Sequence, residues 1–515
     1  MVAGRHVGVP IPAGPTRGST QPRPRPSALR GWRVWGAVAV LLAAAALAAK
    51  PVGAQTLSQG AEPPGSVARQ TVLRVAGPQE LRGVLARARG GEVIALAPGD
   101  YGTLALRGAA GAFDRPVTLS SADPADRARF ERIALHGARN VVLEQLDFRH
   151  DPGAGEGKLL AMLEVRGSGG TPARRITVRG CRFAGAPVSD RVGADPRDAV
   201  AVARQQGLVA GSYAGIGIRV QNARDITVTG NEVTGVYRGF SFEKAAGLEV
   251  SANLVHDVRS DGMTFGQLEH ARIERNTVRD LHPWRHAEAE HRGDHPDLMQ
   301  FWTTNSDAAT RDVVIRGNLL VQRAVAQDER AQGLFMRNLK AEADEASEEF
   351  FFQDMVIEDN VILTAHINAL VVGETTGLAV TGNLLLQEPG AGTGKIATPI
   401  LSIARRSSEV KVSGNVLPDL SRDYATVQGY VSLTEGAALG WQLRGNTLTR
   451  RDRERGAVVT EEGDVLFRYA RVIAAIEAGG MSPPADGTGA PGLALALSEP
   501  PCTPGPAREG VAKCP

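Results

Sequence analysis

From His282 to Thr303 the sequence reads His-Pro-Trp-Arg-His-Ala-Glu-Ala-Glu-His-Arg-Gly-Asp-His-Pro-Asp-Leu-Met-Gln-Phe-Trp-Thr. Four of the chain's ten histidines fall here, at 282, 286, 291 and 295, with Arg285, Arg292, Asp294 and Asp297 among them. Imidazoles move protons near neutral pH, and guanidinium groups hold carboxylates by two parallel hydrogen bonds. His291 and His295 are therefore the candidate acid and base. Arg292 and, further along, Arg337 are the candidate carboxylate clamps; the other reading of Arg337 is a surface ion pair with the acidic stretch that follows it.

Three carboxylates belong to the same picture: Asp261, Asp294 and Asp297. Close carboxylates bind a cation such as Ca²⁺, share a proton, or serve as a hydrolase pair. The alternative is that each caps the turn before its strand. Trp284 and Trp302 offer faces on which sugar rings stack, and burial explains Trp302 equally well. Gln300 and Lys340 are polar groups able to contact a ligand. The spacings His282-x3-His286 and His291-x3-His295 also suit a transition metal, but Pro283, Gly293 and Pro296 argue against the single helix such a site needs.

These residues interrupt a repeat. An apolar-x-apolar phrase ending in Asn recurs as Ile226–Asn231, Leu248–Asn253, Ala271–Asn276, Val313–Asn318, Met355–Asn360, Leu378–Asn383, Val410–Asn415 and Trp441–Asn446. Ile176–Cys181 is an earlier copy with Cys in the Asn place. Successive asparagines are 22, 23, 42, 42, 23, 32 and 31 residues apart, so one unit is 22–23 residues and the longer intervals carry insertions. An antiparallel sandwich does not generate one fixed amide per repeat. Stacked coils do, with the amides aligned at one corner. The expected fold is all-β: a right-handed, single-stranded parallel β-helix over residues 78–462. Short capping helices are expected near Pro78–Gly90 and at 463–479.

A second strand series lies between the Asn phrases: Gly239–Glu243, Gly262–Gly266, Leu298–Trp302, Gly333–Arg337 and Ala369–Gly373. Alternation points Phe240/Phe242, Met263/Phe265, Met299/Phe301, Leu334/Met336 and Leu370/Val372 inward. Ser241, Thr264, Gln300, Phe335 and Val371 then form one outward column. Glu243, Gly266, Trp302, Arg337 and Gly373 form the next. The 282–297 insertion and the acidic loop 339–349 flank this face as the walls of a trough, and Asp261 and Asp297 occupy equivalent places in successive coils.

The Asn phrases, the helix before Gly91–Tyr101, and the Asp261-Gly-Met-Thr-Phe and His295-Pro-Asp-Leu-Met-Gln-Phe-Trp segments resemble the pectate-lyase-like superfamily of right-handed β-helices. The resemblance spans about residues 75–450. It implies a polysaccharide-active protein, a class that includes lyases, uronate epimerases and glycoside hydrolases, so the fold does not choose the reaction. Gly-His-Gly and paired Asp-Asp segments of the polygalacturonase type are missing. The order is Asp294-His-Pro-Asp297 rather than the Asp-Pro-His of mannuronan epimerases. The leading expectation is a lyase or C5-epimerase of a uronate polymer. A non-catalytic carbohydrate-binding protein and a glycoside hydrolase using Asp261, Asp294 and Asp297 are the alternatives.

Composition sets the remaining limits. In 515 residues, 60 glycines and 5% aromatics suit many short strands and tight turns. Arg23, Arg25, Arg30 and Arg33 precede the apolar run Val34–Ala49 and the small residues Val52-Gly-Ala54, which reads as an export signal cleaved after Ala54. An uncleaved anchor is the alternative. Residues 1–54 hold seven Lys/Arg and no Asp/Glu, so removing them takes the formal charge from +2 to −5 (2 − 7). That excludes a general nucleic-acid surface. The mature chain is expected to be a secreted or periplasmic monomer. Residues 55–77 read as a lead-in and 480–515 as a Pro/Gly-rich tail. Three cysteines are too few for a disulfide scaffold, though Cys502 and Cys514 can pair in an oxidising compartment.

Overall fold

The computed structural model describes residues 71–150, 160–185, 215–283, 294–323, 330–388, 398–418, 429–452 and 457–460. The leader 1–54, the helix expected at 463–479, the tail, and Cys502 with Cys514 lie outside them. Among the described residues no helix is long and apolar enough to cross a membrane.

The chain is a right-handed parallel β-helix. Phe240 pairs in parallel with Met263, Met263 with Met299, Met299 with Leu334, and Leu334 with Leu370. The Asn phrases stack in the same way, Leu248 on Ala271, Ala271 on Val313, Val313 on Met355 and Met355 on Leu378. Both series join one sheet. A third set of runs, of two to four residues and absent from the expectation, follows the asparagines as Leu254–His256, Thr277–Arg279, Leu319–Val321 and Val361–Thr364. Three residues carry too little alternation to be seen in a sequence.

In several coils the first two series are one strand that bends. Ile216–Thr229, Arg238–Ser251 and Met263–Glu274 each run through a left-handed residue, Asn222 (φ 52°), Lys244 (φ 54°) and Gln267 (φ 50°). The inward residues assigned by alternation are all buried, and their rings stack from coil to coil, Phe242 on Phe265 at 5.5 Å and Phe265 on Phe301 at 4.9 Å.

The asparagines form a continuous ladder. Each Nδ2 donates to the Oδ1 of the next, from Asn231 through Asn253, Asn276, Asn318, Asn360, Asn383 and Asn415 to Asn446, at 2.9–3.0 Å. Each also donates to a main-chain carbonyl of the preceding coil, as Asn276 does to Val250 at 2.9 Å. Cys181 ends the row: its N–H donates to Asn231 Oδ1 at 2.9 Å, while its thiol reaches only main-chain carbonyls, those of Arg179 at 3.5 Å and Leu143 at 3.7 Å.

The coil begins earlier than expected. Thr71–Val75, within the stretch read as lead-in, is a strand paired with Glu92–Leu96. The helix Pro78–Leu85 follows that strand and buries Leu81 and Leu85 against the core. Five residues before a proline-started helix are too short a segment to betray a strand. Near the other end, Thr447–Asp452 and Ala457–Thr460 pair antiparallel.

Candidate active site

Gly262 shapes the turn that carries Asp261. A Cβ there would lie 2.3 Å from Val278 Cγ1 and 2.7 Å from the carbonyl of Leu298, so only glycine lets the coils approach this closely. Gly262 N donates to the carbonyl of Asp297 and Asp297 N to Asp261 Oδ1 at 3.3 Å. Asp261 and Asp297 thus occupy equivalent places in adjacent coils, as expected. The position continues in both directions. Arg238 precedes Asp261, Asp297 stands beside Gln332, and Gln332 Oε1 accepts from Asn368 Nδ2 at 2.6 Å. The result is a polar row, Arg238–Asp261–Asp297–Gln332–Asn368, beside an apolar core.

The electrostatics of this row are unusual. Asp261 is 1% exposed and Asp297 0%. Arg238 Nε lies 2.8 Å from Asp261 Oδ2, but neither atom makes a hydrogen bond of good direction; the approach is a charge contact. Both carboxyl oxygens of Asp297 are buried, and the neighbouring Gln332 amide stabilises them only in poor hydrogen-bond geometry. Burial raises both acids. The negative charge of Asp261 then pushes Asp297 well above the carboxylate range, and Arg238 only partly offsets this. The pair therefore resists full ionisation, most strongly at Asp297. Asp294 lies close enough to raise Asp261 and is gripped by Arg259 through two hydrogen bonds of 2.7 and 2.9 Å. Arg259 and Arg238 both lie against the ring of Tyr237, at 5.1 and 5.4 Å.

Arg238 also reaches a furrow of about 240 Å³ on the outer face, lined by Thr264, Gly266, Lys244 and Trp302. Trp302 is 38% exposed, so its indole face borders the furrow, where the outward column placed it.

Other expectations meet the structure differently. Trp284, His286, His291 and Arg292 lie outside the described residues. His295 is exposed. His282 Nε2 contacts Asp257 Oδ1 at 2.9 Å and so stands with the third strand series. Arg337 is bound in a fork to Glu342, at 2.8 and 3.0 Å, which is the ion-pair reading. Lys340 is held by the carbonyl of Ser306 and lies over Phe350. Gln300 is 6% exposed, so most of its side chain is covered. The outward column is not an open ledge along its whole length: Phe335 and Val371 pack with Ala404 and Tyr430. Alternation gave the face of these side chains but not what lies over it. Among the described residues no group of three or more His, Cys, Asp or Glu stands together to hold a metal ion.

Sequence reasoning missed Arg238 and Arg259. Their signal was positional: Arg238 precedes Gly239 as Asp261 precedes Gly262, so aligning the coils would have set the cation beside the acids.

A second ionisable cluster lies on the third strand series. His256 contacts Asp257 at 2.5 Å and Glu232 at 3.2 Å. Burial opposes its charge, but these partners outweigh burial and raise its pKa to about 9. Because this lies above the unfolded value of about 6.5, the pair stabilises fully below about pH 6.5 and is lost between there and about 9. Solvent reaches Asp257 and Glu232, so the contribution is on the order of 2 kcal/mol. His256→Gln should flatten that part of the stability–pH curve, measured as urea midpoints at pH 6 and 9.

No protein-family model matches the chain, and no curated protein does. Solved structures similar to it include the catalytic unit of a thermostable GH87 α-1,3-glucanase from Streptomyces thermodiastaticus, with 13% identity, a TM-score of 0.35, and coverage of 68% of this chain and 60% of that one. A mannuronic acid specific polysaccharide family 6 lyase from human gut microbiota shares 14%, with a TM-score of 0.32 and coverage of 75% and 92%. DFA-IIIase from Arthrobacter chlorophenolicus shares 11%, with a TM-score of 0.34 and coverage of 66% and 84%. The chain spans less than two thirds of the glucanase's length. None is similar enough for its activity to be transferred to this chain.

Proposed function

We propose that the protein is a polysaccharide-active enzyme that breaks glycosidic bonds by acid–base chemistry at Asp261 and Asp297. The feature that supports this reading is a pair of buried acids on adjacent coils, Asp297 raised by burial and by the charge of Asp261, with Arg238 in charge contact with Asp261. Left without a partner, such an acid costs about 1–3 kcal/mol, and a fold retains that cost where the shifted acidity is used. Arg238 lines the furrow and is in charge contact with Asp261, while both acids lie buried beneath it, so the reading requires the furrow floor to open over them. Trp302 gives the furrow a sugar-stacking wall.

Hydrolysis needs a protonated acid and a carboxylate, and Asp297 with Asp261 or Asp294 supplies both. Elimination or C5 epimerisation of a uronate needs in addition a cation for the sugar carboxylate and a separate base. Arg337 is forked to Glu342 and does not line the furrow, whereas Arg238 lines it while in charge contact with Asp261, so that cation would be Arg238, and the exposed His295 favours this as the second reading. Incubation with neutral and acidic polysaccharides decides. New reducing ends without unsaturated-uronate absorbance support hydrolysis, and absorbance supports elimination. Inverted uronate stereochemistry supports epimerisation, and no product from any polymer overturns the enzymatic reading.

Trp302→Ala should raise KM about tenfold and leave kcat within about twofold, because a stacking contact is worth about 1–1.5 kcal/mol. Initial rates over a substrate series check this.

A further inference from the structure

A larger groove, of about 840 Å³, follows the bend where the two strand series meet. Its floor is the left-handed column Asn222, Lys244 and Gln267. Lys244 and Gln267 also line the Trp302 furrow, so the two cavities adjoin. Its size is that of ligand sites.

The charges along it are unevenly used. At one end Arg311 pairs with Glu269 and Lys244 with Asp307, both at 2.5 Å, and Glu349 lies on the rim. At the other end stand Arg166 and Arg224, on adjacent coils. Both are exposed, and among the described residues neither makes an ion pair or a side-chain hydrogen bond. Arg224 acts on Glu269 through its charge alone, with no hydrogen bond between them. Arg166 pairs with Gln221, Gln221 with Glu243, Glu243 with Gly266 and Gly266 with Trp302. Four steps of ~4.8 Å place it about 19 Å along the coil from Trp302.

The geometry points to this groove as a second carbohydrate subsite, in which Arg166 and Arg224 bind the carboxylate groups of an acidic polysaccharide whose chain continues into the Trp302 furrow. A guanidinium with no protein partner presents its full fork to a carboxylate. The amides of Gln221, Asn222 and Gln267 supply the hydroxyl contacts a sugar needs. This rests on the polysaccharide reading above and adds the class of polymer and the place where its charge is read.

Calorimetric titration of the full chain with a uronate oligosaccharide and with a neutral glucan oligosaccharide of equal length tests it. The acidic ligand should bind, with affinity falling as salt rises, and the neutral one at least about tenfold more weakly. Arg166→Ala/Arg224→Ala should bind the acidic ligand about 10–100-fold more weakly and keep the wild-type melting temperature, since neither side chain holds the fold. Asp297→Asn should bind it as the wild type does. Equal affinity for the two ligands, or undiminished binding by the double arginine variant, overturns the subsite. Loss of turnover in Asp297→Asn with binding intact leaves it standing. Acidic-ligand binding without turnover of any polymer also upholds the subsite and removes only the catalytic reading.

Discussion

Asp297→Asn should abolish turnover and leave the protein as stable as the wild type or more so. The asparagine keeps the shape of the protonated acid and cannot give up a proton, so kcat should fall about 10²–10⁴-fold, the usual contribution of a positioned acid. The stability effect has the opposite sign. In the folded wild type the carboxyl is held well above the usual range by burial and by Asp261; unfolded, it ionises near pH 4. A raised carboxyl stabilises below its unfolded pKa and loses that contribution as pH rises toward the folded one. Wild type should therefore lose stability above about pH 4, and the variant should lack that slope and gain about 1–3 kcal/mol near pH 8. Asp261→Asn should instead destabilise, because it leaves Arg238 without the carboxylate 2.8 Å away. Denaturant midpoints from pH 5 to 8, alongside rates, check both. A variant that turns over normally and unfolds more easily would make the pair a structural element and remove its catalytic role.

The parts of this centre differ in how readable they were, for physical reasons. Asp261 and Asp297 could be placed together because the period of the coil is set by main-chain pairing, and any two residues two positions before Met263 and Met299 must stack. The inward Phe and Met columns were readable for the same reason, since alternation is a property of every strand. Arg337 shows where such reasoning stops. Its column was assigned correctly, yet an exposed guanidinium takes whichever carboxylate can reach it, and the loop after it brings Glu342 to 2.8 Å. The cover over Gln300 and the packing of Tyr430 on Phe335 depend on insertions of irregular length. No periodicity describes those. A histidine-rich insertion announces its chemistry by composition, but composition gives no geometry.

Asn318→Ala should be among the most damaging single substitutions outside the acid pair, and it tests the architecture independently of function. Asn318 Oδ1 accepts from the main-chain N–H of Asn276 at 2.9 Å and from its Nδ2 at 3.0 Å. Its own Nδ2 donates to the carbonyl of Ile273 at 2.8 Å and to Asn360 Oδ1 at 2.9 Å. All of these groups are buried, so truncation leaves the donors of Asn276 and the carbonyl of Ile273 without partners. Each orphaned group costs about 1–3 kcal/mol, giving a loss of roughly 4 kcal/mol or more even with partial relaxation. Asn446, the last amide of the row, accepts from the N–H and Nδ2 of Asn415 and donates to the carbonyl of Val412 but to no further amide among the described residues. It is partly exposed, so water can reach the groups it frees, and Asn446→Ala should cost about half as much, roughly 2 kcal/mol. In a coil whose turns contact only their neighbours, a break at 318 weakens the stack on both sides, so the denaturant slope should fall as well as the midpoint. Equal losses at 318 and 446 would mean that the amides decorate the corner rather than bind one turn to the next.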